Sequence, residues 1–353
     1  MPNAFEQEHA QFPLVRITTL GEFALDRLVR PPSRNGDEPA RYAQVAQSEW
    51  SNRGPAMALL KVLLCRANRR ASRDDLIEAI WPDHEAINAA HALDSAASVL
   101  RRHILHSGEM GSLLLTLRSG GETIFKLVGQ QRLWVDADAL LSFASQATRA
   151  ECQGQNPLPL LEEAHALARG EFLEDDPYAE WVQGRRRTIN GARHRVLFKL
   201  VDLYTRDGRV GLAEELLFAA LEEHQTDEDA LCRLMVLLVE QERRQEALQL
   251  YQYAEDVLHE ERAEPAVYTR ELARRIRQGL VLRERWEGYT VARIQTLPLV
   301  EPNARSKRRR DGFGAMCMRL TNHAAAGGGQ TLTPYRYPPL RRRAQRRGAP
   351  PIG

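Results

Sequence analysis

Cysteine is nearly absent from this chain: Cys65, Cys152, Cys232 and Cys317 are all there is in 353 residues. They stand far apart with no C-x-x-C pair, so neither a disulfide framework nor a structural zinc site is expected. Reduced thiols fit a cytoplasmic protein. No apolar run of roughly 18 residues occurs, and none is expected to span a membrane. The opening MPNAFEQEHAQF lacks the apolar stretch of a secretory signal. Catalytic signatures are missing too. There is no G-x-x-x-x-G-K-[ST] and no G-x-S-x-G, and GGGQT lies away from any strand-to-helix turn. The acids at 74–75, 162–163 and 174–176 fit helix starts and solvated faces better than acid/base pairs. The histidines are scattered. No enzyme activity, metal site or cofactor is expected.

What the chain does have is enough apolar residue, 43%, to build two or three cores. It also has an uneven charge. Residues 301–353 hold 12 of the 49 Lys and Arg but only Glu301 and Asp311 of the 47 acids, which leaves 37 bases against 45 acids before them. A basic tail on an acidic body signals a partner more than a fold.

The N-terminal third mixes strands and helices. After a leader, 1–13, LVRITTLGEFAL (14–25) alternates as strand, turn, strand, and the Pro-rich 31–53 reads as an exposed loop. PAMALLKVLLCRA (55–67) is a helix with Pro55 at its first position. SRDDLIEAIWP (72–82) is a short helix capped by Ser72 and stopped by Pro82. A linker leads to a third helix over 88–105. SLLLTLRSGGETIFKLV (112–128) then reads as a hairpin around Gly120-Gly121. This block spans 14–130.

From Trp134 the β signals vanish and a helical region runs to about Glu284. A shift of 34 residues matches Leu197 with Leu231, Leu200 with Leu234, Leu203 with Leu237, Arg209 with Arg243, Ala213 with Ala247, Leu216 with Leu250 and Ala220 with Ala254. That is the period of a tetratricopeptide-type helix–turn–helix. The turns DGR (207–209) and ERR (242–244) separate its helices, their arginines read as end caps. Trp81 reads as a core aromatic. Trp181 and Tyr178 read as packing the first helices of this region, or as lining a groove. The expected fold is therefore mainly α with a small β component: an N-terminal winged helix-turn-helix (14–130), an all-α TPR-like domain (134–284), and a disordered basic tail (285–353). The tail fits a sequence-independent phosphate binder, an RNA- or partner-binding segment, or an extension without a role.

One helix raises a functional question. In HALDSAASVLRRHI (91–104), Leu93, Ala97, Leu100 and Ile104 make an apolar stripe. Opposite lie Asn88, His91, Ser95, Ser98 and Arg102, with Arg101 at the flank. A solvated face would favour long charged residues in pairs. Short hydrogen-bonding groups that end in arginines suit a DNA major groove, where base edges are read closely and phosphates need cations at the rim. The preceding helix would cross the backbone, and the hairpin would bring Arg118, Ser119, Gly120 and Lys126 to the adjacent minor groove. The same residues also fit a TPR-type scaffold whose winged helix no longer binds DNA and contacts protein instead.

Several stretches carry a family resemblance: VRITTLGEFAL, LLKVLLCRANRRASRDDLIEAIWPD (59–83), SVLRRHI (98–104), WVDADAL at the junction, ALARGEFLEDDPYAEW (166–181), and the repeat region 208–258. Residues 14–130 resemble an OmpR/PhoB-type winged helix and 134–280 the bacterial transcriptional activator domain. Together they are similar to the SARP-like transcriptional regulators. The resemblance implies a three-helix winged fold with an N-terminal sheet, whose third helix reads direct repeats of double-stranded promoter DNA. It implies that the linker after Trp81 faces RNA polymerase and that the helical domain mediates dimerisation, giving a homodimer, or ligand and partner sensing. No receiver domain is expected ahead of the winged helix, so aspartyl phosphorylation is not the expected switch of this activator. One departure stands out: where the family often has Ser-Arg-Leu-Arg-Arg, Val99 replaces the first Arg. That removes about one unit of phosphate neutralisation.

Overall fold

A computed structural model describes residues 12–33, 38–106 and 111–279. Most of the leader and all of the basic tail lie outside them. Two compact units divide the chain, one up to Leu216 and one from Leu217 on.

The first unit opens with a four-stranded sheet. β1 (Val15–Thr18) and β2 (Ala24–Arg30) form from the alternating run, with Ile17 opposite Leu25, and turn back through Gly21 at φ 85°. Two further strands were not legible in the sequence. β3 (Arg41–Gln44) rises inside the stretch read as loop and pairs antiparallel with β2. It carries no alternating apolar pattern, and its hold is lateral: the Tyr42 hydroxyl donates to Pro13 O at 2.8 Å and the Arg16 guanidinium stacks 3.8 Å from its ring. The fourth strand, of which Trp134 is part, is Leu133–Val135; it pairs parallel with β1, so the order is β3-β2-β1 and then this strand. The helical region accordingly begins at Asp136, not at Trp134.

Three helices share one core with this sheet. α1 (Gly54–Cys65) buries Ala56, Met57, Leu59, Leu60, Val62, Leu63 and Leu64. α2 (Arg73–Ile80) begins with a capping box in which Asp75 N–H donates to Ser72 Oγ at 3.1 Å and Ser72 N–H donates back to Asp75 at 3.2 Å. Trp81 caps its end, half-buried against the core. α3 (Ala86–Val99) continues into a π-helical turn, Leu100–Ile104. A second sheet follows. β4 (Arg70–Ser72) pairs with β6 (Glu122–Leu127), which pairs with β5 (Leu114–Ser119). Gly120 and Gly121, both at positive φ, close the β5–β6 turn where the sequence places it. The strand Leu133–Val135 is β7.

α4 (Asp136–Cys152), α5 (Leu158–Leu167) and α6 (Glu180–Arg206) complete the unit. One core runs from Val15 and Ile17 through α1 and α3 to Leu140, Phe172, Val182 and Ile189. Polar ties reinforce it. Asp136, buried at the start of α4, accepts from the Thr19 and Leu20 N–H groups and the Thr19 hydroxyl. Gly21 and Gly170 meet so closely that a Cβ on Gly170 would stand 2.7 Å from Gly21 Cα. Trp181 packs partly on this core, but Tyr178, in the loop before α6, is 90% exposed and packs nothing. Burial pushes the Cys65 thiol up to about 12, so it is protonated and unreactive at neutral pH.

The repeat reads true in the helices. α7 (Val210–Glu223) follows α6 as α9 (Arg244–Glu260) follows α8 (Glu228–Glu240). The turns match at the shift of 34: Gly208 and Glu242 both hold positive φ, and the Arg209 and Arg243 N–H groups donate to Tyr204 O and Leu238 O, each at 2.8 Å. Ala213 and Ala247 are both fully buried. Arg209 lies over the Tyr204 ring and pairs with Asp207, while Arg243 pairs with Glu246 through two nitrogens. In the second unit α10 (Val267–Arg277) packs on α8 and α9. Among the described residues no helix is long and apolar enough to cross a membrane.

Candidate nucleic-acid interface

α3 is fixed from beneath. Leu93, Ala97, Leu100 and Ile104 are all buried, as the sequence stripe requires, together with Ala89 and Ala96. An isolated helix of this length is marginal in water, whereas each fully buried Leu or Ile contributes roughly 1.5–3 kcal/mol. Packing, not propensity, therefore sets which face remains outside.

That outer face carries the expected residues. Asn88, His91, Ser95 and Arg102 are exposed and Ser98 is half-exposed. The Asn88 amide reaches back to Glu85 at 3.4 Å. Ile87, which the sequence reading passed over, stands among them 74% exposed. It was detectable as the one large apolar side chain on a polar face, the kind of group that meets a thymine methyl. Asp94 flanks the same face, and its carboxylate is taken by Arg73 from the start of α2 at 2.7 Å. This pairing neutralises the carboxylate beside that face.

Arg101 is placed differently from Arg102. It is half-buried, its Nε donates to Leu114 O at 3.0 Å, and its terminal nitrogen donates to Thr116 Oγ1. Burial lowers its pKa, with Asp94 opposing. On the far side of the π turn, Arg27 of β2 donates to His103 O at 3.0 Å and Ile104 O at 3.2 Å. No local signal reveals Arg27, which lies 76 residues away in sequence.

The wing residues divide by sheet face. Pairing register puts Arg118 with Thr116 and Leu114 on one face of β5, and Lys126 opposite Leu115 on the other. Arg118 and Ser119 are exposed at the hairpin end, while Lys126 is half-buried further down. The structure does not bring Lys126 and Arg118 together. Instead it sets Lys126 directly across from Arg70, an exposed cation the sequence reading missed. Like charges paired across strands are unfavourable unless an anion lies near them. Among the described residues, no group of three or more His, Cys, Asp or Glu is placed to hold a metal ion.

Comparison with known proteins finds matches for both parts of the chain. Residues 51–121 match the family described as "Transcriptional regulatory protein, C terminal", and residues 135–277 match the "Bacterial transcriptional activator domain". Over 225 residues, 63% of this chain, the sequence is 30% identical to regulatory protein AfsR of Streptomyces coelicolor. The match covers 22% of that protein, so the chain spans little more than a fifth of its relative's length. The solved structure of Mycobacterium tuberculosis EmbR in complex with a low affinity phosphopeptide shares the fold. Its TM-score is 0.56 at 16% identity, over 88% of this chain and 71% of that one. Both matched families consist of DNA-binding regulators and not of enzymes.

Proposed function

The chain is a SARP-like transcriptional regulator with a winged helix ahead of a bacterial transcriptional activator domain, and we propose that it is a sequence-specific, cytoplasmic activator. α3 docks in a major groove of double-stranded promoter DNA, with Asn88, His91, Ser95, Ser98 and Arg102 facing the base edges and phosphates. Arg118 and Ser119 approach the adjacent minor groove, and Lys126 with Arg70 offers a further phosphate contact. Direct repeats in the promoter would seat a homodimer. The exposed segment Pro82–Glu85 and the helical domain recruit RNA polymerase. One observation carries the reading: α3 buries its whole apolar stripe yet leaves outside a face of short hydrogen-bonding side chains that ends in exposed Arg102.

The test is binding of the full chain to a duplex from its own upstream region and to a random duplex, at two salt concentrations. Arg102→Ala and Ser95→Ala should each weaken selective binding by roughly 1–3 kcal/mol. Arg102→Ala should also lower the salt slope by about one. Val99, where the family often has Arg, favours the competing reading of a TPR-type scaffold that contacts protein. Equal, salt-insensitive affinity for both duplexes, unchanged by either substitution, would establish the scaffold.

A further inference from the structure

The two arginines that close the reading helix are adjacent in sequence, yet the backbone sends them to different neighbours. Over Leu100–Ile104 the helix widens into a π turn, with Leu105 N–H donating to Leu100 O at 2.8 Å. A π turn holds one residue more than an α turn, and here Leu100 and Ile104 stay buried on the stripe with Leu105 beside them. Single π turns inside helices recur at functional sites. Here the turn is braced on both sides. Arg27 takes the His103 and Ile104 carbonyls, which the end of the helix leaves without intrahelical donors. Arg101 reaches the other way, to Leu114 O and Thr116 Oγ1 on β5.

We propose that Arg101 is a positioning residue that ties the wing to the reading helix through Thr116, and not itself a phosphate ligand. The proposal rests on the reading above that helix and wing dock on DNA together. Leu114 and Thr116 lie on the same face of β5 as Arg118. A guanidinium gripping both therefore fixes the strand two residues before the exposed cation at the wing end. A guanidinium suits this task because its planar fork of donors serves a backbone carbonyl and a hydroxyl at once. Strand β5 is the edge of its sheet and buries only Leu114. Its other hold is the ladder with β6. The spacing between the helix in one groove and the wing in the next is thus set by a side chain that touches no DNA, while Arg102, exposed at the next position, is left to meet the phosphate.

The decisive variant is Thr116→Val, which removes Arg101's hydroxyl partner without removing any charge. Affinity of the full chain for the upstream duplex is measured against salt for Arg101→Ala, Thr116→Val, Arg102→Ala, Arg118→Ala and the doubles with Arg118→Ala. An unchanged thermal transition of each free protein confirms folding. Thr116→Val should weaken binding by about three- to tenfold, as Arg101→Ala does, and adding Arg118→Ala to either should change little more. Arg102→Ala and Arg118→Ala should instead multiply, because separate phosphate contacts are independent. If Thr116→Val leaves affinity unchanged while Arg101→Ala lowers the salt slope by about one, Arg101 is a phosphate ligand and the proposal fails alone. If the wild type does not distinguish the upstream duplex from a random one, the functional reading fails and takes this proposal with it.

Discussion

At the scale of single residues, two buried charges hold the winged-helix part of the chain to its helical continuation. Arg69 is 6% exposed and sits at φ 54°, in a three-residue turn that neither α1 nor β4 continues. Its guanidinium donates to Val128 O at 3.1 Å, Leu133 O at 2.7 Å, Asp138 at 2.6 Å and the Gln130 amide oxygen. Removing it strands two carbonyls, although Asp138 keeps its second partner, Arg185. Arg69→Ala should therefore cost about 3 kcal/mol in urea unfolding. Arg69→Lys should recover only part of this, since an ammonium cannot span the same fork of acceptors. Asp136 is the mirror case, a carboxylate among donors. Burial pushes its carboxyl up while the bonds from Thr19, Leu20 and Ala137 pull it down. Asp136→Ala leaves those donors facing apolar neighbours and should likewise cost about 3 kcal/mol. A loss below about 1 kcal/mol in either alanine variant would mean that water replaces the missing partner.

At the scale of elements, the most exacting contact is between two turns. Gly21 follows β1 and Gly170 lies between α5 and α6, where Leu20 bridges Phe172 and the Gly21 N–H donates to Glu171 O at 3.0 Å. Gly170 holds φ 142°, and its missing Cβ would sit 2.7 Å from backbone. Gly170→Ala should cost roughly 1–3 kcal/mol, from strain and a contact that only main-chain movement relieves. Gly154→Ala, at φ 70° with open space around it, should cost less. Melting the two variants side by side tests the difference. This contact also shows where the sequence was legible. Helices α1 to α3, the Gly120-Gly121 hairpin and the 34-residue repeat carry their own periodicity or turn chemistry and could be read locally. β3, β4 and β7 could not. They are three or four residues long, and partners distant in the chain define them, as Leu133 defines itself only against Val15. The outer face of α3 was legible because burial of Leu93, Leu100 and Ile104 fixes what remains outside. The fate of Arg101 was not, since Thr116 is 15 residues on and the π turn leaves no mark in the periodicity.

At the scale of the whole molecule, the sequence suggests a DNA-binding block ending near 130 joined to a separate helical block. The packing of the first unit makes that joint structural. β7 completes the N-terminal sheet beside β1, and Phe172, Leu173, Val182 and Ile189 belong to the same core as Leu59 and Leu63. A chain ending at residue 130 would expose the open edge of β1 and the apolar surface that these residues cover, and it would lose Asp136 and Asp138 themselves, leaving Thr19, Leu20 and Arg69 without those carboxylates. The polar and apolar contacts across the joint each contribute on the order of a kcal/mol or more, against a total domain stability of roughly 5–15 kcal/mol. Residues 12–130 alone should therefore melt without a sharp transition and bind a hydrophobic dye, whereas 12–206 should unfold cooperatively. Fluorescence and far-ultraviolet dichroism should give the same midpoint for the longer fragment. If 12–130 unfolds sharply and within about 1 kcal/mol of 12–206, the winged helix is an independent bead and the joint is only a tether. If it does not, anything that rearranges α4, α5 or α6 acts directly on the core beneath α3. A signal would then pass to α3 through continuous packing rather than through a linker.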